Sequence, residues 1–159
     1  MTHHKALHDL IKQAAEASGQ LFKMKGRIVP IFDVLTAAGE RVILPAPPGD
    51  KDSSLAIARA YFELRNVVSL VFINEAWLLD AVTAADREAA AREGLAAHPR
   101  RIEVVMYVAE DETGHVQGHR PIIRPRHGKA RLGPLKINAD GGTYEGRFIG
   151  LLPARGTRQ

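Results

Sequence analysis

Three side chains in this 159-residue chain stand where acid–base chemistry could be built. Glu75 follows the nearly unbroken apolar run in "VSLVFINEAWLLDA", residues 68–81, beside Asn74 and two residues before the single tryptophan, Trp77. Glu110 crowds with Asp111 and Glu112 at the end of the next apolar stretch, and His115 comes shortly after. Open sheets often place working residues at strand ends. Glu75 with Glu110 or Asp111 would make a general acid–base pair if their strands are neighbours. A small hydrolase or lyase would need Glu75 facing a cleft with His98 or His115 in hydrogen-bond reach. The same residues also have plainer uses. Glu75 can pair with Arg100 or Arg101, or cap backbone beside Asn74, and "EDETG" reads as a solvated turn. Trp77 is expected to fill a junction beside the sheet, with its N–H bonded to a carbonyl.

Other chemistries find less support. With no cysteine, disulfides, thiolate metal sites and a cysteine nucleophile are excluded. His4 and His8 have helical i, i+4 spacing, but Lys5 stands where zinc-protease helices carry a Glu. His115 and His119 share a strand face yet lie about 13 Å apart at ~3.3 Å per residue, too far to share one ion. His127 falls in the following turn. No G-x-S-x-G elbow, Walker A motif or strand–Gly-rich loop–helix pattern occurs. Neither a metal nor a cofactor is expected.

Charge is distributed unevenly. From Arg120 onward nine Lys/Arg face two acids, a net +7, so the preceding residues carry −3 of the chain's +4. Arg120, Arg124, Arg126, Lys129 and Arg131, with Lys136, could bind an anionic partner, nucleic acid or a phosphorylated ligand. Arg120 and Arg124 share parity and would form a stripe along one strand. Only Tyr144 and Phe148 lie near enough to stack on bases, which is thin for a single-strand platform. The two charged halves could equally meet in a dimer.

These residues must be positioned by a small set of elements. Leu7, Leu10, Ile11, Ala14 and Leu21 recur at helical spacing, with Lys23, Lys25 and Gly26 closing the helix. Two short strands are predicted at Ile28–Leu35 and Arg41–Leu44, with Gly39 at their turn. Pro30 places the first at an edge or makes it start later. A second helix spans Ser53–Arg65, with a broad buried face that includes Ile57 and Leu64 as well as Leu55, Ala58 and Phe62. "VVSLVFI" is apolar on both sides and belongs at the centre of the sheet. An Ala-rich helix capped by Thr83 and stopped by Gly94 reads as an insert at 83–97. A meander follows: "RIEVVMYVAE", "HVQGHRPIIR", a shorter "ARLGPLKI", and a last strand in "TYEGRFIGLL".

The fold expected is α+β: one domain over residues 1–152, a mostly antiparallel sheet of five to six strands with two longer helices packed on it. The segment 1–22 is its first helix, and 153–159 is a disordered basic tail. Composition is that of an ordinary globular protein, 45% hydrophobic and 25% charged. No stretch reaches the ~20 apolar residues of a membrane span and no signal peptide is apparent, so a cytoplasmic location is expected. "INEAW", "HPRRIEVVMYVAEDETG" and "RPIIRPRHGKARLGPL" together resemble a pattern of small bacterial proteins, over about Gly26 to Leu135. The resemblance implies a compact bacterial domain and attaches no activity. The element order also resembles roadblock-type and MPN-type α/β domains, although this chain has no His-x-His of the MPN metalloproteases. The function expected is a bacterial cytoplasmic interaction module, a homodimer or a subunit of something larger, without catalysis. Anion binding through Arg120–Lys136 and Glu75-based hydrolysis stand as alternatives.

Overall fold

In the computed structural model the chain begins with a helix of small and apolar residues laid on a sheet. Residues 4–79, 83–94, 99–138 and 152 are described. The elements run α1 (Lys5–Lys25), β1 (Ile31–Thr36), β2 (Arg41–Pro45), α2 (Lys51–Leu64), β3 (Val67–Leu78), α3 (Ala84–Glu93), β4 (Ile102–Asp111), β5 (Gly114–Ile123), β6 (Arg131–Leu132) and β7 (Lys136–Ile137). The strands lie in the order β2-β1-β3-β4-β5-β6, β7 also pairs with β5, and every pairing is antiparallel. This is an α+β single-domain arrangement. The third meander strand expected from "ARLGPLKI" is two short pairings divided at Gly133–Leu135, which raises the count to seven. The strand expected in "TYEGRFIGLL" and the tail 153–159 lie outside the described residues, Leu152 apart.

The two long helices cover opposite faces of the sheet. Leu7, Ile11, Ala14, Ala15 and Phe22 of α1 pack on Val71 and Ile73 of β3 and on Val105, Tyr107 and Ala109 of β4. Leu55, Ala58 and Phe62 of α2 pack on Phe32, Val34, Leu70, Phe72 and Val108. Alternate residues of one strand therefore serve two cores, which is why "VVSLVFI" shows no polar side. Phe32 meets Phe62 edge-on with ring centroids 5.3 Å apart, a favourable aromatic geometry.

Local chemistry sets the ends of these elements. Gly26 adopts φ +72° and its N–H donates to the Phe22 carbonyl at 2.7 Å, closing α1. Asp50 caps α2 by accepting from the Ser53 N–H at 2.9 Å, so the helix starts two residues before the expected Ser53. Its buried stripe is narrower than expected: Ile57 and Leu64 are exposed, because the sheet meets only the Leu55–Ala58–Phe62 line. β1 begins after Pro30 and is an inner strand, leaving β2 at the edge. Thr83 and Asp86 exchange side-chain-to-backbone bonds at the start of α3, with Gly94 just beyond its end. Residues 95–97 of the expected insert lie outside the described residues.

Candidate functional site

β3 continues five residues beyond its apolar run, so Asn74 and Glu75 lie within the strand and not after it. Strand alternation sends them to opposite faces. Glu75 shares parity with Ile73 on the α1 face, and its Oε1 accepts from the Ile28 N–H at 2.8 Å. The carboxylate thus holds the chain that leaves α1 and enters β1. This is the backbone-capping use, but with a partner on a different segment from the one expected. Arg100 instead pairs with Asp86 of α3. Arg101 stacks over the half-exposed Trp77 ring, 4.7 Å from its centroid. Trp77 is therefore a stacking platform at the end of the sheet, not a buried filler.

Asn74, on the α2 face, helps line a cleft of about 440 Å³ with Pro30, Pro45, Pro47, Phe72 and Lys51. The cleft lies where the β2–α2 loop folds back over β3.

Glu110 shares the α2 face with Val108, so Glu75 and Glu110 point away from each other. In register they are also five residues apart, roughly 16 Å along the strands. The expected Glu75–Glu110 pair is not assembled, although β3 and β4 are neighbours. Asp111, with the opposite parity, is tied into its own turn by the Thr113 N–H at 2.7 Å. His98 lies outside the described residues.

A different set does come together. Glu110 is the direct cross-strand partner of His115, Val108 of Gln117 and Met106 of His119. Glu110, Gln117 and His119 are all buried, and His115 is exposed. Cross-strand partners have Cβ atoms about 4.5–5.5 Å apart, so this is a continuous polar strip on the α2-side face. Glu110 Oε1 accepts from the Leu152 N–H at 3.5 Å. Neither Nε2 nor Oε1 of Gln117, 6% exposed, finds a hydrogen-bond partner among the described residues. An unmet buried polar group costs about 1–3 kcal/mol. Gln117 carried no expectation, because alternation in "HVQGH" marks a strand face as polar without saying whether that face is covered. Among the described residues no group of three His, Asp or Glu could hold a metal.

The arginines expected to form an anion-binding stripe divide in two. Arg120 is half-buried and donates from Nε to the Gly133 carbonyl at 2.8 Å and from Nη1 to the Ala15 carbonyl at 2.9 Å. Arg124 makes two 2.7 Å bonds to Glu103, which hold that carboxyl below its usual range. These two close the fold and do not form an open stripe. Arg126, Lys129 and Arg131 are exposed on the β5–β6 loop and its border. At the other side of the sheet, Ile43 is 61% exposed on β2, whose outer side pairs with no described strand.

Compared with protein-family models, curated proteins and solved structures, the chain matches none of them. No described helix is long and apolar enough to cross a membrane.

Proposed function

We propose that this domain acts through protein contacts, without catalysis of its own, and that a second copy adds to the outer side of β2. The observation that supports this is the edge itself: a row of outward backbone groups with an exposed Ile43 at its centre. Such an edge is a template for another strand. Antiparallel pairing about a two-fold axis at Ile43 sets Ile43 against its mate and Val42 against Leu44 of the second copy. Arg41 then faces Pro45 of the second copy, so no like charges meet, and Arg41 is already paired with Asp33. The catalytic alternative is weakened because Glu75 and Glu110 lie on opposite faces.

Sedimentation velocity of the wild type and of Ile43→Lys tests the proposal, with circular dichroism as the check on folding. A wild-type dimer and a folded Ile43→Lys monomer are expected. A wild-type monomer at high micromolar concentration overturns the second copy as partner.

A second reading, binding of nucleic acid or a phosphorylated ligand, is favoured by the exposure of Arg126, Lys129 and Arg131 together.

A further inference from the structure

We propose that the cleft beside Asn74 binds a small aromatic carboxylate, held through Lys51 and Asn74. The cleft has a volume of about 440 Å³, and Pro30, Pro47, Pro48, Phe72, Lys51 and Asn74 are among the residues that line it. Sites for small ligands are concavities of this order, mostly apolar with a few polar groups. The walls are held before any ligand arrives. The Ala46 N–H donates to the Pro30 carbonyl at 2.9 Å, and the Ser54 hydroxyl donates to the Pro47 carbonyl at 2.7 Å. The loop is thus tied to the entry of β1 on one side and to α2 on the other. Its sequence, "PAPPGD" over residues 45–50, carries three prolines whose φ is fixed by the ring.

The polar groups left over in the cleft decide what it takes. The Pro30 and Pro47 carbonyls already accept hydrogen bonds, and Ser54 spends its hydroxyl proton on the second of them. The prolines have no N–H to offer. What remains is the Lys51 ammonium and the Asn74 carboxamide, and neither makes a hydrogen bond or ion pair with a described residue. Lys51 brings three donors and Asn74 two more, so the group they suit is rich in acceptors and anionic. One cation matches the single charge of a carboxylate. The acids on either side of Lys51 do not take it. Asp50 has one oxygen on the Ser53 N–H and the other on the Ser53 hydroxyl, and Asp52 makes a contact elsewhere. Phe72 and the proline rings supply apolar surface against which the ligand's aromatic part packs.

A ¹H–¹⁵N titration of the wild-type chain with naphthylacetate tests this, with naphthylacetamide and acetate as comparisons. The Asn74 side-chain amide signal is assigned by its loss in Asn74→Asp. Naphthylacetate at millimolar concentration should shift that signal and the Lys51 backbone amide in a saturable way. Naphthylacetamide keeps the rings and loses the charge, and should bind about tenfold more weakly. Acetate keeps the charge and lacks the rings, and should leave both signals in place. In Lys51→Gln, a change at an exposed position, the acid should bind no better than the amide. Four results each overturn the proposal: no saturable shift, equal affinity for acid and amide in the wild type, an equal response to acetate, or undiminished acid binding in Lys51→Gln. Shifts confined to the basic β5–β6 loop also overturn it, because the acid would then be held there and not in the cleft.

Discussion

The Arg120 guanidinium lies against the backbone of Gly19 so closely that a Cβ there would stand 2.8 Å from Nη1. From this position Nη1 reaches the Ala15 carbonyl one turn earlier in α1, while Nε holds the Gly133 carbonyl beyond β6. The arginine thus ties the first helix to the connection between β6 and β7.

This tie makes the effect of Gly19→Ala depend on Arg120. Alanine gains about 1 kcal/mol over glycine inside a helix, but here the methyl displaces a pinned guanidinium. Gly19→Ala should lower stability by about 1 kcal/mol in the wild type, and Arg120→Ala by about 2–3 kcal/mol through its lost charged hydrogen bonds. In an Arg120→Ala background, Gly19→Ala should instead raise stability. Urea denaturation of the four chains measures the cycle, and additive effects would show that the two residues do not press on each other.

Glu75→Ala removes the acceptor for the Ile28 N–H and should cost about 1–2 kcal/mol. Glu75→Gln, which keeps an acceptor, should recover much of it. Thermal melts of both variants decide this, and an unchanged transition in Glu75→Ala would leave the α1–β1 connection without its proposed anchor.

Tyr107 is fully buried and its hydroxyl lies 2.5 Å from the Ser18 hydroxyl. Burial raises its pKa, and the Ser18 hydrogen bond offsets part of that. Because the folded-state value is the higher one, the contribution is complete below the ordinary phenol pKa of about 10 and is lost as pH rises through the folded value. Stability measured in urea should therefore fall above about pH 10, and less steeply in Tyr107→Phe. Equal slopes would show that other groups set the alkaline limit.

If the basic loop binds a polyanion, affinity should drop steeply with salt and disappear when Arg126, Lys129 and Arg131 become Gln. The folded state should survive that triple change, because none of the three is buried. Fluorescence anisotropy with a labelled single-stranded oligonucleotide measures it. Salt-insensitive or absent binding would remove nucleic acid as a partner.

Much of the architecture was legible in local pattern. The 3.6-residue recurrence from Leu7 to Leu21, the Gly26 stop and the doubly apolar "VVSLVFI" each depend on neighbours in sequence, so the α1 helix and the central strand could be read directly. Exposure of Ile57 and Leu64 could not, since an apolar residue is buried only where a partner surface exists.

The site residues divide by the same reasoning. The sequence by itself determined which chemistries were excluded and which residue types were on offer: carboxylates at Glu75 and Glu110, a histidine at 115 and a cationic run from Arg120. Only tertiary structure decided how they are used, because a strand's period of two assigns faces without saying what lies opposite. Register put Glu110 beside His115 and away from Glu75. Helix packing turned Arg120 from a surface charge into a clamp on Ala15. Burial turned Gln117 from an ordinary polar strand residue into a carboxamide with no hydrogen-bond partner among the described residues, and each of these outcomes required contacts between residues distant in sequence.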